Sequence, residues 1–79
     1  MDLKDKIAIV TGGGSGIGAA ITELFTSQGI KVASWDLKFG ESAPQAGVQI
    51  ECDITDEESV NEALEKTKSD LGAPHYLIN

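Results

Sequence analysis

Residues 11–18 read Thr-Gly-Gly-Gly-Ser-Gly-Ile-Gly and lie between the apolar run Ile7-Ala8-Ile9-Val10 and a stretch with helical periodicity. Glycines at positions 12, 16 and 18 let the backbone turn sharply, approach a ligand closely and pack a helix tightly against the preceding strand. The first turn of such a helix presents unpaired N–H groups, which bind anions. This segment therefore predicts a strand, a phosphate-binding loop and a helix in succession.

The residues after the loop predict the first helix and the second strand of a parallel sheet. Apolar residues recur at spacings of three and four up to about Gln28, as in an amphipathic helix. The predicted buried positions of this helix are Ile17, Ala20, Ile21, Leu24 and Phe25. Gly29 suits a left-handed helix cap, and the β-prone run Lys31-Val32-Ala33-Ser34-Trp35-Asp36 follows it. Strand, loop, helix and strand make a βαβ unit.

A third strand is predicted after an irregular segment. Residues 37–47 contain glycine, serine and proline without periodicity, so we expect a surface connection. Val48, Ile50 and Cys52 then alternate with polar residues, which predicts a strand that ends at Asp53.

The last part of the chain predicts a second helix and a fourth strand. Thr55 and Glu58 have the spacing of a capping box, and a helix is expected over residues 56–71. Its predicted buried positions are Val60, Ala63, Leu64, Thr67 and Leu71. Residues 75–79, His-Tyr-Leu-Ile-Asn, begin a fourth strand in which Tyr76 is expected to be a core residue.

The order of these elements restricts the topology. Right-handed crossovers favour the strand order 3-2-1-4 with the two helices on opposite faces. We therefore expect an α/β fold with a Rossmann-type parallel sheet, formed as a β-α-β-β-α-β half-domain over residues 1–79 and truncated after the fourth strand. Ligands bind such sheets where the strand order reverses, which here lies between strands 1 and 4, beside the glycine loop.

Composition narrows the partners. The 79 residues carry a formal charge of −7 without a basic cluster, so a nucleic-acid partner is not expected. No apolar run is long enough to span a bilayer and no secretory signal is evident, which favours a cytoplasmic protein without a membrane partner. Cys52 is the single cysteine and is expected to be a small buried residue. His75 has no partner at metal-ligand spacing, so no metal site is predicted.

Asp36 gives the loop a specific interpretation. An acid at the end of the second strand, eighteen residues after Gly18, can accept hydrogen bonds from the adenosine ribose hydroxyls and repel a 2′-phosphate. We therefore expect NAD rather than NADP, with Lys38 as the nearest opposing charge. A nucleotide-triphosphatase loop is excluded, because Gly18 is followed by two alanines rather than by Lys-Ser/Thr. The loop also lacks the Gly-x-Ser-x-Gly pattern of a hydrolase.

Taken together, these motifs resemble the N-terminal part of a short-chain dehydrogenase/reductase. The resemblance rests on the Thr-Gly-x-x-x-Gly-x-Gly spacing of residues 11–18, on Asp36, on Cys52-Asp53-Ile54-Thr55 and on Leu77-Ile78-Asn79, and it covers the whole chain. It implies hydride transfer between NAD(H) and an alcohol or carbonyl substrate. Family members are commonly oligomers.

The resemblance also implies roles for individual residues. Gly12, Ser15, Gly16, Ile17 and Gly18 match the cradle for the pyrophosphate and ribose, and Asp36 matches the adenosine ribose ligand. Asp53 and Ile54 match the pair that contacts adenine, and Asn79 matches the first residue of the family's Asn-Asn-Ala-Gly segment. Gly14 and Leu37 complete the predicted cofactor-binding set.

The family's catalytic residues are absent from these 79 residues. Neither its serine nor its Tyr-x-x-x-Lys pair is present, so no catalytic residue is assigned and this chain alone is expected to be inactive. The small-molecule substrate would be handled only by a longer form. An alternative is a stand-alone, non-catalytic nucleotide-binding or dimerisation module. Strand 4 would present an apolar edge, so self-association is expected.

Overall fold

Four parallel strands and two helices make up the computed structural model, which describes residues 3–41, 43 and 47–79. The elements are β1 (Ile7–Thr11), α1 (Gly16–Ser27), β2 (Lys31–Asp36), β3 (Val48–Glu51), α2 (Glu57–Asp70) and β4 (Tyr76–Ile78). The strand order is β3-β2-β1-β4, and every neighbouring pair is parallel. The predicted α/β class and the order 3-2-1-4 are confirmed.

The central strand β1 is buried on both faces, as its unbroken apolar run predicts. Ile9 belongs to a cluster that packs under α2, whereas Ala8 and Val10 belong to a cluster that packs under α1. Successive side chains of a strand point to opposite faces, so one apolar run supplies both clusters. The two helices therefore lie on opposite faces of the sheet, as predicted.

The predicted buried stripe of α1 is partly wrong. Ile21 and Phe25 are partly buried against the sheet, but Ile17 and Leu24 are 82% and 56% exposed. Thr22 is fully buried instead, and its hydroxyl donates to the carbonyl oxygen of Gly18 at 2.9 Å. Because that bond satisfies the hydroxyl, a threonine can face the sheet where an apolar pattern alone assigns no contact. Ala20, also predicted to be buried, is exposed.

The start of α2 corrects the predicted capping box. Asp56, not Thr55, is the N-cap, and its side chain accepts from the N–H of Glu58 at 3.1 Å. Thr55 is not free to cap the helix, because both its hydroxyl and its N–H donate to Asp53. The predicted stripe of α2 is confirmed: Ala63 and Thr67 are buried, and the other positions are partly buried and pack against the sheet. Those positions are Val60, Leu64 and Leu71.

Two smaller predictions are also corrected, and a third is confirmed where it can be compared. β3 ends at Glu51, two residues before Asp53. The expected surface connection over residues 37–47 forms no helix or strand at residues 37–41, 43 and 47 and is mostly exposed there, although Ala43 is buried; positions 42 and 44–46 lie outside the described residues. Tyr76 is exposed rather than a core residue, because β4 lies at the edge of the sheet and pairs only with β1. Cys52 is buried and free, as predicted.

None of the helices within the described ranges is long and apolar enough to cross a membrane.

Candidate functional site

The parallel sheet brings the predicted site residues together at the carboxyl-terminal ends of its strands. In a parallel sheet all strands point the same way, so the segments that follow them lie at the same side. The glycine loop follows β1, Leu37 follows β2, Asp53 and Ile54 follow β3, and Asn79 follows β4. The predicted residues therefore lie along this side in the spatial order of the strands, with the glycine loop beside Asp36.

The first half of the glycine loop is fastened to the end of β2. The N–H groups of Gly12 and Gly13 donate to the carbonyl oxygen of Trp35 at 2.7 and 3.3 Å. The N–H of Gly14 donates to Asp36 Oδ2 at 3.0 Å. These backbone donors are engaged by the protein itself, so this half of the loop has a structural task.

The second half of the loop forms the N-terminus of α1. The N–H groups of Gly16, Ile17 and Gly18 have no acceptor within the helix, because an α-helix leaves its first N–H groups unpaired. Ser15 is the N-cap, with an extended backbone and no side-chain capping bond. The first turn carries no acidic residue. This helix terminus is therefore built to attract an anion.

Close packing holds that terminus against the loop. A Cβ added to Gly18 would overlap the carbonyl oxygen of Gly12, so no residue with a side chain fits there without a shift of the backbone. Gly12 and Gly16 have φ values of 68° and 58°, in the left-handed region that favours glycine. The spacing of glycines in the sequence thus has two physical causes, backbone conformation and close approach.

Asp36 accepts a hydrogen bond with each carboxylate oxygen, one from the glycine loop and one from the residue after β2. Oδ1 accepts from the N–H of Leu37 at 2.8 Å, and Oδ2 accepts from the N–H of Gly14 at 3.0 Å. The side chain is only partly buried. A carboxylate oxygen can accept more than one hydrogen bond, so these contacts leave capacity for a ligand's hydroxyl groups.

A cleft of about 180 Å³ lies beside Asp36. It is lined by Gly12, Trp35, Asp36, Leu37, Cys52, Asp53, Ile54 and Thr55. Five of these belong to the predicted cofactor-binding set, whereas Trp35, Cys52 and Thr55 were not assigned to it. Their signal was positional: each is the immediate neighbour of a predicted residue at the end of β2 or after β3. Gly14, Ser15, Gly16, Ile17, Gly18 and Asn79 lie outside the lining of this cleft.

Asp53, on the far side of the cleft, is held in a short turn. The N–H and the hydroxyl of Thr55 donate to Asp53 Oδ1 at 2.9 and 2.6 Å. The N–H of Asp53 donates to Ser59 Oγ at 3.0 Å. The hydrogen bonds from Thr55, first from its hydroxyl and then from its N–H, hold the pKa of the Asp53 carboxyl below its ordinary value of 3.8. Asp53 is therefore ionised at neutral pH, with one oxygen held in place.

Asn79 is connected to the loop through Thr11, which the prediction did not include in the site. The hydroxyl of Thr11, at the end of β1, lies 3.2 Å from Asn79 Oδ1 and 3.3 Å from the carbonyl oxygen of Ile78. Thr11 precedes the first glycine of the loop, so this contact links the end of β4 to the start of the loop.

His75 and Tyr76 lie toward the amino-terminal ends of the strands, away from the glycine loop. His75 pairs with the start of β1: its N–H donates to the carbonyl oxygen of Ile7 at 2.8 Å, and its Nδ1 accepts from the N–H of Ile7 at 3.1 Å. Tyr76 pairs with Ala8. In the described part of the chain, no group of three or more His, Cys, Asp or Glu residues is placed to hold a metal ion.

A family model described as short chain dehydrogenase matches residues 6–79. The chain belongs to the short-chain dehydrogenase family. Among curated relatives of this family, a probable galactose dehydrogenase of Rhizobium meliloti (strain 1021) is 38% identical over 99% of this chain and 34% of its own length. The chain thus spans about a third of that relative.

Solved structures of a dehydrogenase and of a reductase show the same fold. The ligand-free aldohexose dehydrogenase of Thermoplasma acidophilum is 34% identical and superimposes with a TM-score of 0.85 over 96% of this chain and 29% of its own. The 3-ketoacyl-(acyl-carrier-protein) reductase of Brucella melitensis, solved with NADH, is 30% identical, with a TM-score of 0.85 over 95% of this chain and 34% of its own. Nicotinamide cofactor binding is therefore implied for this chain by its family.

Proposed function

We propose that residues 1–79 form the NAD-binding half-domain of a short-chain dehydrogenase that transfers hydride between NAD(H) and an alcohol or carbonyl substrate. One observation carries this proposal: the open N-terminus of α1 and the Asp36 carboxylate lie at the same sheet edge, joined by the bond from Gly14. A dinucleotide needs such a pairing of an anion site and a hydroxyl acceptor.

The residues of the chain fit the parts of the cofactor. The free N–H groups of residues 16–18 would hold the pyrophosphate, with the side chain of Ser15 beside them. Asp36 would accept from the adenosine ribose, and the cleft between Leu37 and Ile54 would hold the adenine, with Asp53 beside it. When bound, the nicotinamide supplies the hydride chemistry.

NAD is proposed over NADP because of the charge at the ribose position. A 2′-phosphate placed against the Asp36 carboxylate would meet a like charge. Both carboxylate oxygens are held by backbone N–H groups, so the side chain cannot turn away without losing a bond. Lys38 is exposed and lies two residues further along the chain.

The 79 residues alone are proposed to bind the cofactor without turnover. Tyr76, the single tyrosine of the 79 residues, pairs with Ala8 at the start of β1, away from the glycine loop that follows β1. Among the described residues, no tyrosine therefore lies beside the proposed cofactor site to act as the general acid or base. Measurable oxidation of any alcohol by the pure 79-residue polypeptide would contradict this.

The test is a map of NAD binding on the backbone amides, measured by NMR. We expect NAD to shift the amide signals of residues 15–18, 36–37 and 53–55, and to leave those at the C-terminal end of α2 unchanged. Shifts confined to other regions, or no shifts at millimolar NAD, would contradict the proposal. Trp35, the single tryptophan, lines the cleft and offers a second signal through its fluorescence.

A second candidate, association with another copy through β4, is favoured by the exposed apolar surface of that strand. Leu77 is 58% exposed, and hollows of about 170 and 310 Å³ lie beside the strand. Edge strands with apolar surface pair readily. We expect Leu77→Glu to lower the mass measured by light scattering, whereas Leu24→Glu, at an equally exposed position on α1, leaves it unchanged. A wild-type monomer at high concentration would contradict this candidate.

A further inference from the structure

Ser34, in β2, lies directly beneath the glycine loop. It pairs with Val10 of β1 and with Gln49 of β3, and only 2% of its surface is exposed. Within the described ranges of the chain, its hydroxyl has no hydrogen-bond partner. A hydroxyl buried in this way does not stabilise the strand through a bond. The Ser34 side chain therefore acts on the loop through its size and not through its polarity.

The loop residue above Ser34 is Gly13, which falls at a variable position of the glycine pattern. A Cβ added there would overlap Ser34 Oγ and would lie 3.0 Å from Ser34 Cβ and 3.1 Å from the carbonyl oxygen of Val10. The backbone of Gly13 lies outside the left-handed region. Alanine is therefore allowed by conformation at this position and is opposed by space alone.

A shift of the Gly13 backbone would disturb the hydrogen bonds of the loop residues on either side of it. Gly12 and Gly13 donate to the carbonyl oxygen of Trp35, and Gly14 donates to Asp36. If Gly13 is lifted from β2, these bonds lengthen together. The Asp36 carboxylate then also changes its position relative to the loop.

We propose that Ser34 is a positioning residue: with Gly13 it forms a size-matched pair that sets how closely the glycine loop lies on β2, and thereby the affinity for NAD(H). The effect on affinity rests on the proposed function, whereas the packing of the loop on β2 does not.

The first test measures NADH affinity in variants of the pair. Gly13→Ala is expected to weaken binding about tenfold, because overpacking displaces the loop. Adding Ser34→Gly to it makes room, so the double variant should bind within about threefold of Ser34→Gly alone. Ser34→Ala keeps the loop in place and should bind as the wild type does. Gly40→Ala is the matched control, because an added Cβ there meets nothing within 4 Å.

The second test reads the loop without a ligand, through hydrogen exchange of the Gly12 and Gly14 amides. Gly13→Ala should speed this exchange about tenfold, and the double variant should slow it again. If Gly13→Ala does not fold, Ser34→Thr approaches the loop from below and should have the same effect. Gly40→Ala should leave both amides unchanged.

These measurements separate the two proposals. If the wild type does not bind NADH, the proposed function is wrong, and the exchange data still test whether Gly13 and Ser34 set the position of the loop. Unchanged exchange in Gly13→Ala, or no recovery in the double variant, would contradict that role of the two residues. A loss of affinity in Ser34→Ala as large as in Gly13→Ala would assign the effect to the hydroxyl and overturn the size argument.

Discussion

At the scale of single residues, Asp36 has a structural task as well as the proposed one. Its oxygens accept from Gly14 and Leu37, so the carboxylate joins the loop to the end of β2 before any ligand arrives. Hydrogen bonds to a charged acceptor are stronger than those between neutral groups. Replacing the charge should therefore affect both the loop and the ribose contact.

Asp36→Asn tests this double task. The asparagine amide group can face only one of the two N–H donors with its oxygen, so the bond to Gly14 or to Leu37 is lost and NAD affinity is expected to fall at least about tenfold. The preference for NAD over NADP should shrink as well, since the repelling charge is gone. Calorimetric titration of the variant measures both effects, with Asp70→Asn on α2 as the control. Wild-type affinity in Asp36→Asn would contradict both roles of this carboxylate.

Thr55 and Asp53 carry a pH prediction. The folded-state pKa of Asp53 is lowered from 3.8 by the hydrogen bonds from Thr55, so their stabilising effect is present above that value. It is lost as the pH falls through the lowered folded-state pKa. Thr55→Val removes the hydroxyl bond and should raise the pKa of Asp53 toward 3.8, as followed by NMR titration of the carboxyl carbon. An unchanged titration would show that the hydroxyl has no such effect.

The position of Asp36 could be predicted from the sequence, but its bond to Gly14 could not. The spacing between the loop and the end of β2 follows from the length of one helix and one strand. The bond depends on how closely the loop approaches β2, and an added Cβ on Gly14 would lie 2.8 Å from Asp36 Oδ2. The distance between the loop and β2 depends on the sizes of the side chains between them. The apolar periodicity of the sequence does not contain this information.

At the scale of elements, the cap of α2 separates two candidate residues. The side chain of Asp56 accepts from the N–H of Glu58, whereas the bonds of Thr55 go to Asp53. Asp56→Ala is expected to cost about 1 kcal/mol of unfolding free energy, the usual effect of losing an N-cap. Thr55→Ala should leave the cap intact. Urea unfolding of both variants measures these effects, and unchanged stability of Asp56→Ala would contradict the assignment of the cap.

Apart from the end of β3, the elements follow closely from the apolar pattern, with two exceptions that side-chain hydrogen bonds explain. β2 begins and ends at the residues expected, because Lys31 to Asp36 is a β-prone run between a helix cap and a connection. The buried side of α1 was misplaced, since Thr22 faces the sheet with its hydroxyl satisfied by Gly18. The N-cap of α2 was misplaced by one residue, because Asp53 competes for Thr55.

At the scale of the whole molecule, the two ends of the parallel strands differ. The carboxyl-terminal ends carry the glycine loop, Asp36 and the cleft, whereas the amino-terminal ends carry the pairing of His75 with Ile7. The order of strands was predictable because right-handed crossovers leave few alternatives. The cleft was predictable only in part, since Trp35 and Cys52 reach it from buried positions that look like ordinary core.

We propose that this chain holds NAD through the open end of α1 and the carboxylate of Asp36. Calorimetric titration of the wild-type protein with NAD and with NADP tests this binding. We expect saturable binding of NAD with one site per chain, and weaker binding of NADP. No binding of either at millimolar concentration, or tighter binding of NADP, would contradict it.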